Sequence, residues 1–396
     1  MQRNILIGAG VVVLLGIAVV GYLVFSSRQP SIDVAPEGTS SLPVAEQGVA
    51  PTTGQASPPT GVPIAVTTRL VQITVGPVVP GEVVINIKAS STTPADTIVK
   101  YINRESGNVY TYATKAKALT RTSNRTLPGI QSAEWLPDAS LAFVQYLSGE
   151  NFSTINTYAL PAIGFGGFFL SQNLSDIAVS STSLLTLASA VNGSSASLLR
   201  TDGTRPSSIF TTPLSAIRIS FAGKNQYLVF TKPSMTLAGY AYLVDGAGVF
   251  TKIAGPRKGL SALASPLGKW VLISYADGGT MHLELISIAT GESLPLPVAT
   301  IADKCVWAAN DSAVYCGIPV NPSASFNYPD DWYQGAVSFS DRIWRIDTSG
   351  RYAQLVLDFS KETEKPLDAY ALAVDPSNTA LVFVNKNDSS LWIYQL

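Results

Sequence analysis

Charge is what this chain has little of. Only 13% of its 396 residues are Asp, Glu, Lys or Arg, about half the share in an ordinary soluble domain, and the formal net charge is −1. No basic stripe is available, so neither nucleic acid nor an anionic membrane surface is an electrostatically favoured partner. Histidine is nearly missing: His282, in "GGTMHLELIS", stands alone. A metal site needs several His, Cys or carboxylate ligands in register, and none accompany it, so no metal and no cofactor is expected and His282 reads as a strand residue. The nucleophile elbow is absent, since "GLSAL" (Gly259–Leu263) lacks its final glycine. So are the phosphate loop, H-E-x-x-H, the EF-hand loop and the dinucleotide fingerprint. No catalytic residue emerges from these motifs. Helical periodicity is also missing, because beyond the N-terminus no long segment places apolar residues at i, i+3, i+4 and i+7.

What is present falls into three regions. Residues 1–26 hold "ILIGAGVVVLLGIAVVGYLVF" (Ile5–Phe25), an uncharged run of about 21 residues that as a helix spans about 30 Å, the hydrocarbon thickness of a bilayer. A secretory signal is the competing reading, but its apolar stretch is shorter and ends in a small-x-small site, which "VFSSRQ" lacks. The run is read as an uncleaved, single-pass transmembrane anchor. Arg3 and Arg28 flank it almost evenly, so charge bias sets its orientation only weakly. Residues 27–66 are rich in Pro, Ser, Thr and Gly with almost no aromatic side chain, and cannot bury enough surface to offset ordering entropy. They read as a flexible linker with a root-mean-square reach of roughly 35 Å.

Residues 67–396 carry a repeat. An apolar residue before a polar turn, answered by another apolar run shortly after it, recurs at Trp135, Val179, Phe221, Ala264, Trp307 and Val374. The first five lie about 42–44 residues apart, and the last interval is longer by about 24. A third short strand follows each hairpin ("AYLVD", "LELIS", "IWRID"), and usually a fourth. Four strands every forty-odd residues is the signature of a β-propeller blade, whose two apolar faces are covered only when blades stack around an axis. With "VVINIKA", "TIVKYINRESGNVYTYAT" and "KALTRT" supplying one more, the count is seven: an all-β, seven-bladed β-propeller behind a membrane helix and linker. The chain stops on the third strand "LWIYQL", so the seventh blade lacks an outer strand. The run Arg69–Thr74, "RLVQIT", has no other place and is expected to cross over and complete it, closing the ring and hiding an edge.

The stretch "WLPDASLAF" (Trp135–Phe143), with "LWIYQL" in third-strand position, resembles TolB-like and WD-repeat propellers over roughly Thr67 to Leu396. Most other turns depart from that pattern: "DPSNT", "SPLGK" and "AANDS" stand where Pro-Asp-Gly is usual. The layout of anchor, linker and divergent propeller also resembles membrane-anchored bacterial propeller proteins. The resemblance implies a binding role for another protein, and a location rather than a mechanism.

One interruption breaks the repeat, at residues 318–340 between the second and third strands of blade six. It holds Phe326, Tyr328, Trp332, Tyr333 and Phe339, the adjacent acids Asp330 and Asp331, and no Lys or Arg. Such aromatic loops suit recognition, because Tyr and Trp bury much area at low entropic cost; the same rings could equally pack down over the channel as a plug. Asp330 and Asp331 are the only adjacent carboxylates, and a loop pair is more often a solvated turn than an acid/base couple. Cys305 and Cys316 flank the turn "AANDSA", and pairing Trp307 with Val314 sets them opposite one another, within disulfide reach. Two buried free thiols are the alternative. A bridge enclosing about ten residues is worth about 3 kcal/mol by the chain-entropy relation and belongs to an oxidising compartment. The expected function is an extracytoplasmic, membrane-anchored binding or scaffold module for a protein partner in the cell envelope. The alternatives are an envelope polysaccharide hydrolase using propeller carboxylates and a structural part of a surface assembly.

Overall fold

Short apolar strands alternating with Asp-, Asn- and Gly-bearing turns build seven four-stranded antiparallel sheets in the computed structural model. It describes residues 69–396 apart from 92–93, 124, 165 and 349–351. The expected anchor and linker lie outside the described residues. Among the described residues no helix is long and apolar enough to cross a membrane, and the α-helices are single turns, Asp330–Tyr333 and Phe359–Glu362.

The first strands of the sheets, in chain order, are Val83–Ile87, Ile130–Trp135, Leu174–Val179, Ile217–Phe221, Ser261–Ala264, Cys305–Trp307 and Ala369–Val374. Those of most neighbouring sheets touch one another, so they surround the axis, and the outer strands form the rim. The turn between first and second strands explains the recurring residue types. Its third or fourth position adopts left-handed backbone at Ala139, Asn225, Gly268, Asp311 and Asn378, with φ of 57°, 55°, 72°, 59° and 55°. Gly, Asn and Asp tolerate that conformation best, and Ala139 is the exception.

Apolar faces meet between adjacent sheets. Ile130, Ala133 and Trp135 of sheet two pack with Ile102 and Val109 of sheet one and with Val79 of the connector that precedes it. Trp307, Val314 and Ile346 of sheet six pack with Leu272 and Leu285 of sheet five. The two first-strand tryptophans share a second task. Trp135 Nε1 donates to Gly81 O at 2.9 Å and Trp307 Nε1 to Leu263 O at 3.2 Å, so each indole satisfies a carbonyl of the preceding blade.

The ring closes as expected. Leu70–Gln72 pairs antiparallel with the third strand of sheet seven, Leu391–Gln395, in the register Leu70–Tyr394, Val71–Ile393 and Gln72–Trp392. Arg69 Nε donates to Gln395 O at 2.9 Å, and its guanidinium lies 4.8 Å from the Tyr394 ring centroid. Leu396 N in turn donates to Thr379 O, in the turn between the first two strands. The chain therefore joins the ring on the face that carries those turns, opposite the loops between second and third strands. Cys305 and Cys316 are directly paired and disulfide-bonded, with Cα atoms 4.1 Å apart.

Candidate functional site: an aromatic insertion seated at the axis

The insertion leaves the second strand of sheet six, Ala313–Pro319, and returns to the third, Asp341–Asp347. Its rings divide by position. Tyr328, Trp332 and Phe339 are buried, at 1%, 2% and 5% exposure, against Ala276, Met281 and Ile301. Phe326 is half-buried, while Tyr333 is 39% exposed. Both acids act on backbone: Asp331 Oδ2 accepts from Asn327 N at 2.7 Å, and the Asp330 carboxylate accepts from Met235 N, on the corresponding loop of sheet four, at 3.1 and 3.2 Å. They shape and fasten the loop.

The fastening continues below Trp332. Lys304, which heads the first strand of sheet six, is fully buried, as are the side chains of its two partners. Its Nζ lies 2.8 Å from Asp341 Oδ2 and in direct contact with Asp368 Oδ1. Phe339 N and Trp332 Nε1 donate to Asp368 Oδ2 at 2.9 and 3.0 Å. The rings of Trp332 and Phe339 each lie 5.1 Å from the same Nζ. Charges this deeply buried persist only when paired and hydrogen-bonded. Asp341 is nonetheless pushed up to about 6, chiefly by burial, with Lys304 pulling against the shift and Asp368 adding to it.

Beside Lys304, Asp303 joins a second polar group with the first strands of sheets four and five. Arg218 Nη1 of sheet four pairs with Asp303 Oδ2, beside sheet six, at 2.8 Å, and Ser261 Oγ of the intervening sheet donates to Asp303 Oδ1 at 2.7 Å. Burial works against the Asp303 carboxylate, but Arg218 and Ser261 outweigh it and hold its pKa below the usual range. The Tyr333 phenol joins this group and is pushed well up, by burial first and by Asp303 second. Next to Arg218, Asp176 accepts from Ile219 N at 2.8 Å. Glu134 is exposed to water on the first strand of sheet two, yet the surrounding protein pushes it up to about 7 by desolvation, with Asp176 adding and Arg218 opposing. Glu82, just before the first strand of sheet one, is 7% exposed and neither carboxyl oxygen has a hydrogen-bond partner. Burial pushes it up to about 8.

Sequence reasoning named the insertion but not Lys304, Asp341, Asp368, Arg218, Asp303, Glu134 or Glu82. For all but Asp341, which opens a third strand, their signal is a charged residue at or beside an axial strand in a chain poor in charge. Among the described residues no group of three or more His, Cys, Asp and Glu side chains could hold a metal ion.

No family model matches the chain, and no curated protein does. Solved structures do match. An oligogalacturonate lyase from Vibrio parahaemolyticus aligns with a TM-score of 0.55 at 9% identity, over 82% of this chain and 93% of that one. The β-propeller domain of the Trilobed protease from Pyrococcus furiosus, described as having an open velcro topology, aligns with 0.51 at 10% identity, over 80% and 95%. TolB from Acinetobacter baumannii aligns more loosely, with 0.44 at 14% identity, over 65% and 62%. At these identities the likeness is one of fold: the chain is a β-propeller, and its chemistry has to be argued from its own residues.

Proposed function

We propose that the chain is a membrane-tethered, extracytoplasmic propeller that binds a protein partner in the cell envelope through the face carrying the insertion. The observation that carries this reading is the aromatic insertion on that face, the long interruption of an otherwise regular repeat. Phe152, Val191, Leu237 and Val320, 71%, 96%, 71% and 38% exposed, lie in loops of the same face, while Ile163, Val249, Leu267 and Tyr352 are exposed in turns of the opposite one. The chain enters the ring at Arg69 and Leu70 on the opposite face. The apolar run Ile5–Phe25 supports the tether, and the Cys305–Cys316 bridge supports an oxidising compartment. Within the insertion, Trp332, Tyr328 and Phe339 brace the loop, while Tyr333 leaves part of its ring exposed and sets its phenol beside Asp303 and Ser261. The experiment compares capture from detergent-solubilised native membranes by the wild-type chain and by Tyr333→Ala combined with Leu237→Ser. Each lost anchor is worth about 2 kcal/mol if it is a hot spot. Unchanged capture by a variant with an unchanged melting temperature would reject this face.

A second reading rests on Glu134 and Asp176, two carboxylates on neighbouring first strands, the first exposed to water and pushed up to about 7, the second half-buried and also raised. A pair of carboxylates, one of them able to hold a proton near neutral pH, is what polysaccharide hydrolysis uses. Reducing-sugar release from envelope polysaccharide by the wild-type chain, lost in Glu134→Gln, would favour it over docking.

A further inference from the structure

We propose that Lys304 and Asp368 are joined by an intramolecular isopeptide bond between blades six and seven. The three components such a condensation needs are already in place. The nucleophile is Lys304 Nζ, fully buried and in direct contact with Asp368 Oδ1. The proton carrier is Asp341, whose Oδ2 is 2.8 Å from Nζ and accepts from Ala369 N, and whose Oδ1 is buried without a hydrogen-bond partner. The donors for a developing oxyanion are Phe339 N and Trp332 Nε1, both on Asp368 Oδ2. The surrounding rings of Trp332 and Phe339 keep the site apolar, and Asp368 is itself positioned by Asn385 Oδ1, which accepts from its backbone N at 3.0 Å.

The step balances without any outside reagent. The Lys304 ammonium passes one proton to Asp341, and the freed Nζ lone pair attacks Asp368 Cγ, forming the C–N bond. The charge that collects on Oδ2 is met by the Phe339 and Trp332 N–H groups. Asp341 returns its proton to Oδ1, a second proton leaves the nitrogen for the same oxygen, the Cγ–Oδ1 bond breaks and water departs. Asp341 ends ionised as it began, and its raised pKa suits a group that must hold the proton in between. An ammonium beside two carboxylates becomes a neutral amide beside one carboxylate, which removes two buried charges that only mutual pairing had made tolerable.

The test is the mass of the full-length, folded chain. It should be lighter than its sequence by one water, beyond the two hydrogens lost at Cys305–Cys316, and digestion should yield a branched peptide joining Lys304 to Asp368. Lys304→Met and Asp341→Asn should each regain the water. Full mass in the folded wild-type chain, or loss of water mapped to any other pair of residues, overturns the proposal whether or not the variants fold. Loss of the same water at the same junction in Asp341→Asn would overturn the role given to Asp341.

Discussion

Glu82→Gln should stabilise this protein, and by an amount that depends on pH. The side chain is buried with both oxygens unpartnered, and burial pushes its pKa from 4.5 to about 8. In the unfolded chain it ionises normally. Between pH 4.5 and 8 the folded state therefore holds a proton that the unfolded state has released, and stability falls as pH rises through that window. Each pKa unit corresponds to about 1.4 kcal/mol, so the loss reaches about 3 kcal/mol at pH 7 and about 5 kcal/mol above pH 8. Below pH 4.5 the contribution is complete, because both states are protonated. Glutamine keeps the shape and cannot ionise, so its advantage should be near zero at pH 4.5 and grow to those values. Urea melts of both proteins at pH 5, 7 and 9 measure this directly. The position also makes the outcome visible. Glu82 ends the connector from the closing strand to sheet one, which is held by Val78 N on Ser389 O, Val79 N on Ile102 O and Ala133 N on Pro80 O. Stability profiles that run parallel across pH would refute the reasoning and mean that water reaches the carboxylate.

Deleting residues 67–75 should strip the outer strand from sheet seven and cause aggregation or loss of a cooperative melt, whereas deleting residues 27–66 should do neither; a soluble chain from Gly76 that melts cooperatively would disprove the role of Leu70–Gln72. Trp332→Ala should cost about 3–5 kcal/mol, the usual loss on emptying a buried aromatic site, and calorimetry showing an unchanged melting temperature would contradict the packing of its ring.

The architecture was legible because its causes are local or arise from simple counting. A turn that must turn left-handed has Gly, Asn or Asp at one position in four of five hairpins, with Ala139 in the fifth, and the period follows from that. A chain that stops one strand short, with one strand spare at its start, implies closure. Cys305 and Cys316 could be matched because they belong to one hairpin, where register alone sets the distance. The candidate site was only half legible. Aromatic content marked the insertion, but ring type does not say which face a ring takes, and Trp332 and Tyr333 go opposite ways from adjacent positions. The Lys304–Asp341–Asp368 group joins residues up to 64 apart across two blades. No periodicity links them, and only the stacking of sheets brings them to one point.

The route by which the chain joins the ring bears on how it would carry load. Tension arriving along the preceding residues reaches the ring at Arg69 and runs along Leu70–Gln72. That strand lies antiparallel to Leu391–Gln395, with their hydrogen bonds across the pull. A force directed away from that face would stress those bonds together, in shear, instead of opening them singly as in a zipper. The Arg69 guanidinium, bonded to Gln395 O and stacked over Tyr394, sits where such a rupture would have to start. A three-residue strand placed this way is both the clasp of the ring and the point at which any pull along the preceding chain would enter it.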